Sequence, residues 1–329
     1  MTGDLPDLIF GLKDSVSFSE TALRIFRFQA ENNPVYRQFI SSLRKTISGI
    51  KKINDIPFMP VEFFKSQTVA IENLSFDIVF ESSRTTGDTP GRHFVHDLKL
   101  YERSLQSSFR YFYGDPSEYL ITALLPSYTE RQNSSLIYMM NGLITDSRNS
   151  DSGFYNDNPE DLIRTLHLAK ASGQKRLLLG VSFALLDFAN DYSPDLSGTI
   201  IMETGGMKGR RKEITREELH ETLRVKLNVQ SVHSEYGMTE LLSQAYSKDN
   251  GIFYCPPWMK IIVRDPSDPF TITDEQGTTG GINIVDLANI YSCSFIATSD
   301  FGKLYENGGF GVSGRFDNSD VRGCNLMAE

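Results

Sequence analysis

Thr215-Arg216-Glu217-Glu218-Leu219-His220-Glu221-Thr222-Leu223-Arg224-Val225-Lys226-Leu227 runs almost directly into Val229-Gln230-Ser231-Val232-His233-Ser234. The first stretch opens on Thr215 with Glu218 three residues later, the spacing of a capping box. Leu219, Leu223 and Leu227 then recur every four residues, as on one face of a helix. The second stretch is short and apolar-leaning, which reads as a strand. The same alternation holds upstream. Helix signals lie at Asp97–Tyr113, where Leu98, Tyr101, Leu105, Phe109 and Phe112 share a face, and at Pro159–Ala171. Apolar strand runs lie at Tyr119–Pro126, Arg176–Ser182 and Thr199–Glu203. Strands alternating with helices predict βαβ units and a largely parallel sheet, hence an α/β fold.

Farther out the pattern changes. Residues 1–75 read as a helical segment, with Ser17 and Glu20 at capping-box spacing, then Leu23, Phe26 and Ala30, and a stop at Asn32-Asn33-Pro34. A second helix is expected from Val35 to about Lys45, then the extended run Ile56–Lys65, whose prolines forbid a long helix. Residues 76–257 form the α/β core. Residues 258–314 predict a smaller β-rich subdomain from short strands at Met259–Arg264, Gly281–Asp286, Phe295–Thr298 and Phe310–Gly314, and 315–329 read as a tail.

The chain has 329 residues and a formal net charge of -9, against the basic footprint of a nucleic-acid binder. A local cation group, Lys208, Arg210, Arg211 and Lys212, reads either as an anion-binding patch or as a solvated helix start. No apolar run is long enough to span a membrane and no secretory leader opens the sequence, so the expectation is a cytoplasmic protein. Cys255, Cys293 and Cys324 are too few and too scattered for a disulfide framework or a clustered metal site.

Three segments carry the candidate chemistry. Ser82-Ser83-Arg84-Thr85-Thr86-Gly87-Asp88-Thr89-Pro90-Gly91-Arg92 follows a strand expected at Phe76–Phe80, and hydroxyl-rich turns with glycine can wrap phosphate oxygens. It lacks Walker A spacing, and by composition alone it is also an ordinary surface loop. Ser234-Glu235-Tyr236-Gly237-Met238-Thr239-Glu240 can stack an aromatic ring on a base and offer oxygens to Mg²⁺, or form a turn with a surface acid. Phe295-Ile296-Ala297-Thr298-Ser299-Asp300-Phe301-Gly302 puts an acid at an expected strand end, where it suits ribose hydroxyls or an Asx turn. His233 and the run Gly180–Leu186 read as packing, with the border of a substrate pocket as the other reading.

Together with Thr204-Gly205-Gly206 and Gly314-Arg315-Phe316-Asp317, these segments resemble, in order and type, the adenylate-forming superfamily, which activates carboxylic acids with ATP. A narrower resemblance is to the acyl-protein synthetases of bacterial fatty-acid reductase complexes, the long-chain-fatty-acid luciferin-component ligases. It is carried by Ile56–Lys65, Pro256-Pro257-Trp258, Asp300-Phe301-Gly302 and Arg322-Gly323-Cys324-Asn325-Leu326.

The resemblance implies the superfamily's large α/β domain with parallel sheets and a small β-rich subdomain, lacking the C-terminal lid domain. It implies that ATP and Mg²⁺ are required, that a fatty or other carboxylic acid becomes acyl-AMP, and that a thiol then takes the acyl group. Ser82, Ser83, Thr85, Thr86 and Gly87 would hold phosphates. Gly205, Gly206 and Tyr236 would pack on adenine and Gly237 would belong to the same ATP site, while Thr239 and Glu240 would serve phosphate and metal. Asp300 and Arg315 would take the ribose. Cys324 would be the acyl acceptor, passing the group to a partner protein such as a reductase or carrier. Arg84 departs from the glycine usual after the loop's hydroxyl residues, and replaces close backbone approach with a guanidinium. Two alternatives remain open at this level: a phenylacetate-type acyl-CoA ligase, and a nucleotide-binding subunit without activity.

Overall fold

The computed structural model describes residues 4–82, 89–126, 133–205 and 214–315. Two compact units form: residues 1–74 together with 257–329, and residues 75–256.

Along the chain, α1 (Leu5–Phe10), α2 (Ser15–Asn32), α3 (Pro34–Ser42), β1 (Met59–Pro60) and α4 (Phe63–Ser66) come first. The 75–256 unit contains β2 (Ile78–Glu81), β3 (Arg92–Val95), α5 (Leu98–Tyr113), β4 (Tyr119–Leu124), α6 (Ser135–Ser147), β5 (Gly153–Phe154) and α7 (Pro159–Ala171). It continues with β6 (Lys175–Val181), α8 (Ser182–Tyr192), β7 (Thr199–Thr204), α9 (Arg216–Leu227), β8 (Val232–Tyr236) and β9 (Ala245–Ser247). The first unit resumes with β10 (Met259–Arg264), β11 (Ile272–Thr273), β12 (Thr279–Asp286), β13 (Phe295–Leu304) and β14 (Phe310–Arg315).

In the 75–256 unit the sheet order is β5-β4-β6-β7-β8-β9. The first five strands are mutually parallel and β9 closes the edge antiparallel to β8. Every residue of β4 is buried, and so are the last six of β6, which is why they read as continuous apolar runs rather than alternating ones. The α5, α7 and α9 signals land where the sequence placed them. Thr215 caps α9, accepting from the Glu218 N–H while Glu218 Oε2 accepts from the Thr215 N–H. At Gly180, a Cβ would stand 2.7 Å from Leu185 Cγ and 3.2 Å from the Leu124 carbonyl, so the missing side chain lets α8 fold back onto β6.

The 1–74/257–329 unit is built on a sheet ordered β1-β13-β12-β10-β11, with β14 on β13. It is antiparallel apart from the β1–β13 pair. Buried Gln29 of α2 donates to the carbonyls of Asn289 and Ile290 and accepts from the Ser294 N–H, pinning the helix to the connection between β12 and β13. Buried Asn33 caps α3 and donates to the Ser292 carbonyl.

Two local expectations, the α2 cap and the place of Asp300, need correction. The cap of α2 is Asp14, which accepts from the N–H groups of Val16 and Ser17, so Ser17 lies inside the helix. The run Gly180–Leu186 is buried, as the packing reading expected, and is shared between the end of β6 and α8, which begins at Ser182. Asp300 lies within β13 rather than at its end, since β14 extends the pairing through Asp300 and Arg315.

Candidate functional site

Open α/β sheets bind ligands beyond the carboxyl ends of their parallel strands. In the 75–256 unit that edge is set by the last residues of β6, β7 and β8, which run in register: Val181 beside Thr204, and Thr204 beside Glu235. Gly205 and Tyr236 therefore finish adjacent strands at the same level. Gly205 adopts φ +69°, a conformation glycine takes without strain, and its carbonyl accepts the Ser182 hydroxyl at 2.7 Å.

Two buried carboxylates lie at this edge. Glu203 accepts from Ser182 Oγ at 3.1 Å and stands 3.4 Å from Arg216 Nε and 3.6 Å from His220 Nε2. Burial pushes its carboxyl up, but His220 and the Arg216 charge outweigh that and hold it below the usual carboxylate range. Among the described residues, no cation lowers Glu235 as Arg216 and His220 lower Glu203. Burial pushes Glu235 up to about 7; the Thr204 hydroxyl bonded to it opposes the shift and neighbouring Glu203 adds to it. Arg216 also covers the Phe253 ring at 5.2 Å, and that ring packs 5.8 Å from Tyr236. A Cβ on Gly237 would lie 2.4 Å from Glu235 Oε1, so glycine at this position is what lets the carboxyl sit there.

The segment after β8 meets the hairpin of β2 and β3. Ser82 and Gly91 bond in both directions, Gly91 N–H to Ser82 Oγ at 2.8 Å and Ser82 N–H to the Gly91 carbonyl at 2.9 Å. A Cβ on Gly91 would stand 2.5 Å from Glu240 Oε1 and 3.4 Å from Ser82 Oγ. Buried His93 places Nδ1 2.8 Å from the Thr239 carbonyl, which requires the proton on that nitrogen. The stem of the hydroxyl-rich loop and the Thr239-Glu240 pair thus form one cluster. Residues 90 to 93 link two segments about 150 positions apart.

Ser83, Thr85, Thr86, Gly87, Gly206, the Lys208–Lys212 cation group and Cys324 lie outside the described residues. Asp300 and Arg315 belong to the other unit, where they are paired across β13 and β14, with Nε 3.4 Å from Oδ1; Asp300 is buried and Arg315 is exposed. Buried Cys293 donates to the Phe295 carbonyl, and burial pushes its thiol up to about 12, as befits a structural thiol. His233 packs by Tyr113 Oη at 3.0 Å, and burial pushes its imidazole down to about 4. Among the described residues no group of three or more His, Cys, Asp or Glu could hold a metal ion, and no helix is long and apolar enough to cross a membrane.

Glu203, Glu235, Ser182 and His93 were not singled out from sequence. The available signal was an acid at or next to the end of each of two neighbouring apolar strands, immediately before a Gly-containing turn.

No protein-family model matches the chain, and neither does any curated protein. Solved structures do match. The luciferase-like enzyme from the nonluminescent Zophobas morio mealworm superposes with a TM-score of 0.51 at 14% identity, over 74% of this chain and 58% of that one. The amide bond synthetase McbA from Marinactinospora thermotolerans gives 0.49 at 16% identity, over 72% and 48%. A malonyl-CoA ligase in complex with methylmalonyl-CoA and AMP gives 0.49 at 16%, over 73% and 53%. The chain spans about half the length of these structures. The protein has the α/β fold of the adenylate-forming enzymes.

Proposed function

We propose that this protein activates a carboxylic acid with ATP. The observation that carries the reading is the cluster of Ser82, Gly91, His93, Thr239 and Glu240, which joins the loop stem to the acid-bearing segment at the carboxyl edge of a parallel sheet. In this reading Ser82, with Ser83, Thr85, Thr86 and Gly87 of the same loop, binds the triphosphate. Gly205, Gly206, Tyr236 and Gly237 form the adenine platform, and Thr239 contacts phosphate.

The Glu240 carboxylate, packed against a residue with no side chain, fits Mg²⁺, which takes few protein carboxylates and completes its shell with phosphate oxygens. Bound there, the ion would neutralise phosphate charge. The protein's own residues align the reactants. A carboxylate oxygen of the acid attacks the α-phosphorus, the bond to the β-phosphate breaks, and pyrophosphate leaves. A thiolate then attacks the acyl carbon and AMP departs.

The finer reading is that of an acyl-protein synthetase. Here the acid is a fatty acid, the first acceptor is Cys324, and the thioester passes to a partner protein. Arg322, two positions before Cys324 in the sequence, would favour its thiolate. Incubation with ATP, Mg²⁺ and labelled fatty acid tests both levels. Label on the protein that disappears in Cys324→Ser is the expected result. Label unchanged in that variant removes the cysteine assignment, and absence of acyl-AMP with any acid removes the activation step itself.

A further inference from the structure

We infer that the acid activated here carries its own hydrogen-bond donor, a hydroxyl, amino or amide N–H group, and that the Gln244 side-chain oxygen accepts it. The inference deepens the acid-activating reading and rests on it. Gln244 is 5% exposed, and among the described residues its Oε1 is buried with no hydrogen-bond partner. Buried amide oxygens are almost always paired, so an orphaned acceptor calls for a reason.

Its position supplies one. The β8–β9 register pairs Tyr236 with Ala245, which sets Gln244 opposite Gly237. A Cβ on Gly237 would indeed lie 3.4 Å from Gln244 Cγ. Gln244 is therefore at the carboxyl edge of the sheet, on the β9 side of β8. The proposed adenine platform, Gly205 and Tyr236, ends the neighbouring pair β7 and β8, which leaves the β9 side to the other reactant.

An unbranched alkyl chain laid against Gln244 would keep its acceptor dry and unpaired. An acid with a donor at the matching position converts that penalty into a hydrogen bond. Sites built this way reject analogues lacking the donor far more strongly than apolar pockets reject an extra group.

Carboxylate-dependent ATP–pyrophosphate exchange by the full chain, run on matched acids, tests the inference without any variant. Octanoate is compared with its hydroxylated counterparts, and benzoate with ortho-amino and para-hydroxy benzoate. At least one donor-bearing acid is expected to exceed its parent in kcat/KM by roughly tenfold or more. In Gln244→Met, which keeps length and shape without the amide, that ratio falls toward one through the KM for acid, and the KM for ATP holds. Parent acids favoured in every pair, or a ratio unchanged in the variant, overturn the inference and leave acid activation standing. A KM for ATP raised equally with all acids also overturns it, assigning Gln244 to the nucleotide. No exchange with any acid overturns the parent reading as well.

Discussion

Glu235 and His233 stand two residues apart on β8 and are displaced in opposite directions, both chiefly by burial. Folding moves Glu235 from 4.5 to about 7, so across that window the native state holds a proton that the unfolded chain releases. Its contribution is fully present below pH 4.5 and is lost as pH rises to 7. Folding moves His233 from 6.5 to about 4, so its contribution is present above pH 6.5 and is lost as pH falls toward 4. The two slopes oppose each other over the shared range, each worth up to about 3 kcal/mol from the size of its shift. Glu235→Gln is therefore expected to leave stability rising with pH through that range, and His233→Gln to leave it falling. Urea midpoints measured against pH read this out; both variants keeping the wild-type slope would refute the assignment. Gly91 makes a second prediction at this scale. Gly91→Ala puts a methyl where Glu240 Oε1 now packs, so the carboxylate must move. On the proposed reading, adenylation drops by roughly tenfold or more because a positioned group is displaced, while the thermal midpoint shifts only slightly. Wild-type activity in that variant would detach Glu240 from the chemistry.

Helix α2 is capped by Asp14. Asp14 holds two N–H groups of the first turn, whereas Ser17 Oγ only donates back to the Asp14 carbonyl. Asp14→Ala should lower the melting temperature clearly and Ser17→Ala far less; the reverse order would restore the capping box first read from Ser17 and Glu20. Why that reading failed while the Thr215 reading held is instructive. Both pairs have the right spacing, but Thr215 is itself extended and outside its helix whereas Ser17 already lies inside α2, and a four-residue pattern carries no information about that. Helices with one polar face, α5, α7 and α9, were legible from their period. In α8 seven of eleven residues are buried, including the run Ser182–Leu186, and no period survives to be read. Strand β13 was expected at Phe295–Thr298, yet pairing with β14 carries it to Leu304. Local sequence cannot show a partner strand.

At the scale of the molecule, a formal charge of -9 sets no obstacle to binding an anionic nucleotide, because backbone donors and one or two local charges decide affinity within a Debye length of roughly 8 Å. The class of fold was legible because βαβ alternation repeats several times and each repeat supports the next. The candidate cluster was legible as separate segments, Ser82 in one and Thr239-Glu240 in another, while their meeting through Gly91 and His93 was not. Neither of those two carries a chemical signature, and their value lies in what they touch. Glu203, Glu235 and Gln244 escaped for the same reason, since a buried polar side chain looks like a surface one until the sheet is assembled.

In the reaction proposed above, a carboxylate oxygen of the acid attacks the α-phosphorus of ATP. Turnover of an acid carrying heavy oxygen in its carboxyl group, followed by mass analysis of the products, tests it most directly. One heavy oxygen recovered in AMP is the predicted result. Heavy oxygen recovered in inorganic phosphate, with ADP as the nucleotide product, would overturn this step and point to an acyl phosphate in place of an acyl-adenylate.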